Sequence, residues 1–157
     1  QAALRQRPDT PRVHLELGLV YAGASQWDKA EEEFRAECKL QPGNAEGSYH
    51  LGNALLQQGK AREAQQELER ADRLKPDMPE TLYSLGKAAS LNGDAALAEK
   101  AWLQVIAVEK ETSLAAQAHF GLAGVYRKQG KQAKAESELQ EFRKVQKMIT
   151  QSEDRPK

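Results

Sequence analysis

The sequence predicts an all-α fold of stacked antiparallel helix pairs, on three observations. Leu-Gly pairs recur at Leu17-Gly18, Leu51-Gly52 and Leu85-Gly86, with spacings of 51 − 17 = 34 and 85 − 51 = 34 residues; a weaker copy, Leu122-Ala123, follows after 122 − 85 = 37. A fixed period of this size marks supersecondary units that stack on one another. Within each half-period, apolar residues recur at three- and four-residue spacing, as on one face of a helix. Glycines and prolines fall where helix-length segments end.

The elements follow in order. The first helix spans 11–24 and carries Leu17, Gly18 and Tyr21; the second, 27–40, carries Ala30, Phe34 and Leu40 and stops before Pro42, which cannot continue it. The third, 45–58, holds Leu51, Gly52 and Leu55, and Gly59 suits the left-handed residue that ends a helix. The fourth, 61–74, holds Ala64, Leu68, Ala71 and Leu74 ahead of Pro76. The fifth, 79–92, carries Leu85, Gly86 and Ala89 and ends at Gly93; the sixth, 95–109, carries Ala98, Trp102, Val105 and Val108. Lys110 stands where the terminating proline would be, so this helix is expected to run longer than its equivalents, with a longer connection after it. The seventh, 114–129, holds Leu122, Ala123 and Tyr126 before Gly130; the eighth, 132–150, holds Ala135, Leu139, Phe142 and Val145. Small residues at Gly18, Gly52, Gly86, Ala30, Ala64 and Ala98 let paired backbones approach, and Phe34, Leu68, Trp102 and Leu139 fill the space beside them.

The L-G…Y…A-x₃-F…P pattern of the first copy, repeated in register, resembles the tetratricopeptide repeat. The resemblance covers about residues 11–149. It implies a right-handed superhelical α-solenoid. Leu17, Gly18, Ala30, Leu51, Gly52, Ala64, Leu85, Gly86 and Ala98 form its structural signature. On this reading residues 1–10 are the tail of a preceding repeat helix. Segments 11–44, 45–78 and 79–112 are three repeats, 113–115 is an insertion, 116–150 is a degenerate fourth repeat and 151–157 is a disordered tail. The chain begins at Gln1 rather than Met, so a longer parent array is expected.

Bulk composition narrows the function classes. The chain of 157 residues has 23 basic and 23 acidic residues, without the electrostatic footprint of a nucleic-acid binder. A mean hydropathy of −0.75 and the lack of a long apolar run argue against membrane insertion. A soluble protein is expected, cytoplasmic in preference to periplasmic. The single cysteine, Cys38, forms no internal disulfide, and its place four residues after Phe34 points to packing.

No enzyme is expected. Gly52…Gly59-Lys60 spaces its glycines too widely for a phosphate loop, and Ala61 follows the lysine where Ser or Thr is needed. Neither HExxH, CxxC nor GxSxG occurs. His14, His50 and His119 lie in different repeats and read as partly buried helix histidines, so neither metal nor other cofactor is expected. Glu37 stands where the other repeats carry Ala71 and Val105; a carboxylate there needs a partner, expected to be His50 or an arginine.

The expected activity is that of a non-enzymatic scaffold binding a peptide or protein segment. The resemblance implies that the first helix of each repeat lines a concave groove. Two residues before each Leu-Gly or Leu-Ala pair stand Leu15, Tyr49, Tyr83 and Phe120, a column of mainly aromatic residues. The expected peptide-binding residues are Tyr49, His50, Asn53, Tyr83, Lys87, Phe120 and Arg127. The aromatics offer rigid apolar area. Asn53 both donates and accepts, and Lys87 with Arg127 and Lys128 can receive a carboxylate. Relatives that clamp the tails of chaperones use lysine, asparagine and arginine where this chain has Leu15, Leu19, His50, Glu80 and Ser84, so that ligand is not expected. The alternative is a self-assembly module, forming a homo-oligomer through the array ends, or a regulatory attachment of a larger protein.

Overall fold

The computed structural model of the chain describes residues 12–153. All regular structure among them is helical: α1 (Val13–Gly23), α2 (Trp27–Leu40), α3 (Ala45–Gln57), α4 (Ala61–Leu74), α5 (Pro79–Asn92), α6 (Ala95–Val108), α7 (Ser113–Lys128) and α8 (Gln132–Glu153). The helices follow one another as antiparallel pairs. The chain divides into two compact units at Pro76–Asp77, the first holding α1–α4 and the second α5–α8. Within each unit every helix packs on the next, and the two first helices of neighbouring pairs also touch, α1 with α3 and α5 with α7.

The pairs close because a large side chain of one helix lies on a glycine of the other. A Cβ built on Gly18 would stand 2.4 Å from the Phe34 ring; one on Gly52 would stand 2.6 Å from Leu68, and one on Gly86 2.5 Å from the Trp102 indole. No side chain fits at such distances, so these positions are set by the approach of the helices. The Trp102 indole is also covered from its other side by Gly121 of α7, where a Cβ would stand 2.7 Å away. Around Trp102 the second unit packs Leu82, Val105, Leu122 and Tyr126. Phe34, Leu51, Leu55 and Leu68 are buried equivalently in the first.

Each turn inside a pair needs one left-handed residue. Gly59, Gly93 and Gly130 supply it with φ of 75°, 82° and 73°. In the first pair that place, 59 − 34 = 25, holds Ser25, at φ 56°. A side chain there costs roughly 1 kcal/mol relative to glycine. Connections between pairs end in caps: Asn44 accepts from the Glu46 N–H and Thr112 from Ala115, and Pro79 occupies the first turn of α5; inside the third pair Asp94 caps α6 by accepting from Leu97 N–H.

Three expectations need correction. Helix α6 is not extended: it has 14 residues, like α2 and α4, and the connection 109–112 has the same four residues as 41–44 and 75–78. The three extra residues instead lengthen the start of α7. Leu122 lies 122 − 113 = 9 residues after the helix start, against 51 − 45 = 6 and 85 − 79 = 6 in α3 and α5. Thr112 caps the helix, so the insertion read at 113–115 forms its first turn. Residues 151–153, expected in a disordered tail, continue α8. Residues 154–157, and the preceding-repeat tail expected at 1–10, lie outside the described residues.

An ionic staple holds α2 to α3 and α4 in the first unit. Glu31 accepts from Arg35 Nε, Gln58 Nε2 and Lys60 Nζ, each at 2.8 Å, and Arg35 also reaches Glu63 at 2.8 Å. Burial pushes the Glu31 carboxyl upward, but the three donors outweigh it and hold the group at about 2. A folded value below the unfolded 4.5 means stability that is present above about pH 4.5 and is lost as the pH falls toward 2. Glu31→Gln is therefore expected to cost on the order of 2 kcal/mol at pH 7, with the difference from wild type shrinking below pH 4.5. Urea midpoints of both proteins from pH 7 to 3 measure this; a difference independent of pH removes the ionic explanation.

Candidate functional site

The expected ligand residues lie on the first helices of the pairs, and each unit carries its own set. In the first unit Tyr49, His50 and Asn53 project from α3. His50 stacks on Phe34 with ring centroids 5.4 Å apart and meets Tyr49 edge-on at 5.0 Å. Burial lowers its pKa, opposed by the Glu46 charge, so at neutral pH it is an uncharged ring in an aromatic row. His50 therefore packs within the fold. Asn53 is half-buried and makes no side-chain hydrogen bond among the described residues, which leaves its donors and acceptor open. Leu15, counted in the aromatic column, is buried to 1% exposure and presents nothing to a ligand; Leu19, one turn later, is exposed instead.

In the second unit Tyr83 and Lys87 stand on α5, Phe120 and Arg127 on α7. Tyr83 is half-buried, its carbonyl accepts from the Trp102 indole at 3.2 Å, and burial raises its phenol pKa. Phe120 is 60% exposed and rests against Phe142 at 5.5 Å. Gly124, one turn on, has open space where a Cβ would be. Lys87 and Arg127 are exposed and pair with no carboxylate among the described residues. Aromatic rings offer area to apolar side chains, and exposed cations offer charge to carboxylates.

Glu37 and Cys38 serve the fold. Glu37 is 0% exposed and takes two amide donors, Gln41 Nε2 at 2.7 Å and Asn44 Nδ2 at 3.3 Å. Its expected partner, His50 or an arginine, is replaced by amides from the connection before α3; short neutral donors reach a site that a guanidinium would have to be buried to occupy. Asn44 thus joins the cap of α3 to the end of α2. Cys38 packs as expected, its Sγ 4.0 Å from Ser48 Oγ and its thiol pushed up by burial.

Two cross-links were not anticipated. His14 Nδ1 meets Glu33 Oε2 at 2.7 Å, and His119 Nδ1 meets Glu138 Oε2 at 2.7 Å. Both tie a first helix to its second helix across 19 residues. The signal was in the sequence as a carboxylate 19 residues after each histidine; the second pair keeps the acid, Glu67, opposite Ser48, and the third has Leu82 and Ala101. Among the described residues no cluster of three metal-binding side chains forms. No described helix is long and apolar enough to cross a membrane.

Comparison with known proteins places this geometry. A tetratricopeptide-repeat model matches residues 1–45, 49–113 and 92–144. No curated protein matches the chain in sequence. Among solved structures, a crystal structure of MamA superposes with a TM-score of 0.89 at 21% identity, covering 96% of this chain and 86% of that one. MamA from Desulfovibrio magneticus RS-1 gives 0.86 at 19% identity, over 92% and 80%. YrrB, described as a repeat protein with an unusual peptide-binding site, gives 0.79 at 15% identity, over 92% and 73%. At these identities the likeness is one of fold.

Proposed function

This chain belongs to the tetratricopeptide-repeat family, whose members are generally protein-binding and typically non-enzymatic, and from that premise we propose that it binds an extended peptide segment on the first helices of its repeats. One observation carries the proposal. The first helices present groups left open among the described residues: Asn53 without a side-chain hydrogen bond, Lys87 and Arg127 without an acid, and Phe120 largely exposed. No hydrogen bond or ion pair among the described residues holds these polar side chains, whereas a ligand backbone meets the Asn53 amide from both sides and ligand carboxylates meet the cations. Tyr49 and His50 add flat apolar area on the helix of Asn53, and Tyr83 on the helix of Lys87.

The test is affinity capture from native lysate with the wild type and with Asn53→Ala/Tyr83→Ala, both checked for helicity. The expected result is a partner retained by the wild type and lost by the variant. Each truncation is expected to cost about 1–2 kcal/mol of binding, together about tenfold or more in Kd. Equal capture by both proteins moves binding off these helices, and capture of a second copy alone replaces the proposal with self-assembly.

A further inference from the structure

The turn joining α7 to α8 reads Arg127-Lys128-Gln129-Gly130-Lys131-Gln132-Ala133-Lys134, four cations and no acid in eight residues. Folding accounts for two of them. Arg127 and Lys128 lie in the last turn of α7, where positive charge suits the helix dipole. Lys131 directly precedes α8 and Lys134 lies in its first turn, where positive charge opposes the dipole. The equivalent helices begin with acids: Asp28 in α2, Glu63 in α4 and the Asp94 cap in α6, whereas α8 has none. None of the four cations forms an ion pair among the described residues. Lys131 and Lys134 lie over the Tyr126 ring, 5.8 Å and 5.2 Å from its centroid, which keeps both ammonium groups at the turn. The nearby acids are already engaged: Asp94 accepts from Leu97 N–H, Glu99 from the Tyr126 hydroxyl and Glu138 from His119.

Beside this turn lies a cleft of ≈ 230 Å³ with Ala95 and Val125 in its lining and Lys128 and Ser90 among its polar groups. It is smaller than a typical small-molecule pocket of about 300 Å³ or more and suits a single apolar side chain. We propose that this turn and cleft dock an acidic segment of a partner protein, one apolar side chain entering the cleft while flanking carboxylates meet Arg127, Lys128, Lys131 and Lys134. A long polyanion fits less well. The positive field is confined to one turn, α8 continues with Glu136, Glu138 and Glu141, and the chain as a whole has no net charge. The inference rests on the reading of the chain as a protein-binding module; of the first-helix ligand residues it shares Arg127 and does not use Asn53 or Tyr83.

The probe is a fluorescein-labelled Glu-Glu-Leu-Glu-Glu peptide, followed by anisotropy at low and physiological salt. Binding is expected to weaken about tenfold or more in Lys131→Gln/Lys134→Gln, and several-fold when the peptide leucine becomes glycine. It is expected to be unchanged in Asn53→Ala/Tyr83→Ala. Both lysines are exposed, so circular dichroism of the variant should match wild type. Equal affinity for Gln-Gln-Leu-Gln-Gln, or no effect of the lysine substitutions, overturns the proposal. So does tighter binding of a short single-stranded DNA or of phosphatidylserine vesicles. Loss of the peptide in the Asn53/Tyr83 variant alone also overturns it, while leaving the first-helix reading in place.

Discussion

Gly86→Leu is expected to destabilise the second unit by roughly 3 kcal/mol, at the upper end of the usual cost of overpacking. A Cβ alone at Gly86 would stand 2.5 Å from Trp102 Nε1 and 2.7 Å from Cδ1. The indole has no room to retreat. It is buried, its N–H is donated to the Tyr83 carbonyl at 3.2 Å, and its far edge lies against Gly121. Relief therefore requires α5 and α6 to separate, which opens the contact that forms the pair. Gly124→Ala is the matched control. It lies in α7 with open space around it, and is expected to be neutral or to stabilise by up to about 1 kcal/mol through helix propensity. Urea midpoints followed by Trp fluorescence measure both. Equal midpoints for Gly86→Leu and wild type would mean that the helices do not cross at Gly86.

Phe34→Ala is expected to cost about 3–5 kcal/mol in the first unit. The ring is 1% exposed, covers Gly18 of α1 and stacks on His50 of α3, so it links three helices. Gly18 has no side chain and His50 is held by Tyr49 as well, so neither can fill the cavity. Phe34→Leu keeps most of the volume and is expected to lose about 1 kcal/mol. If alanine and leucine proved equally mild, the space beside Gly18 would have to be filled by backbone movement. Loss of Phe34 also frees His50, so ligand binding through Tyr49 and Asn53 is expected to weaken in the same variant even below its unfolding temperature.

Much of the molecule was legible before its structure. The eight helices lie within three residues of the ranges read from periodicity, because that signal is local: each helix repeats its apolar face every turn and ends at a residue that cannot continue it. The pairing of a glycine with a large side chain was legible for the same reason, since Gly18 and Phe34, Gly52 and Leu68, and Gly86 and Trp102 share one spacing, 34 − 18 = 68 − 52 = 102 − 86 = 16. The candidate ligand residues were legible as positions on first helices, but not which of them are open. Leu15 and Phe120 occupy equivalent places in the repeat, yet one is buried and the other is largely exposed.

The sequence by itself determined the helices, their pairing and the family, all properties that repeat along the chain. Tertiary structure decided what does not repeat. It gave Glu37 two amides in place of a histidine or arginine, and joined His14 to Glu33 and His119 to Glu138. It put the three extra residues in the first turn of α7 and left four cations at the α7–α8 turn without an acid among the described residues. Periodicity identifies which face of a helix is apolar. The partner of a polar group depends on side-chain reach and rotamer across helices, on scales of a few ångströms that no spacing encodes.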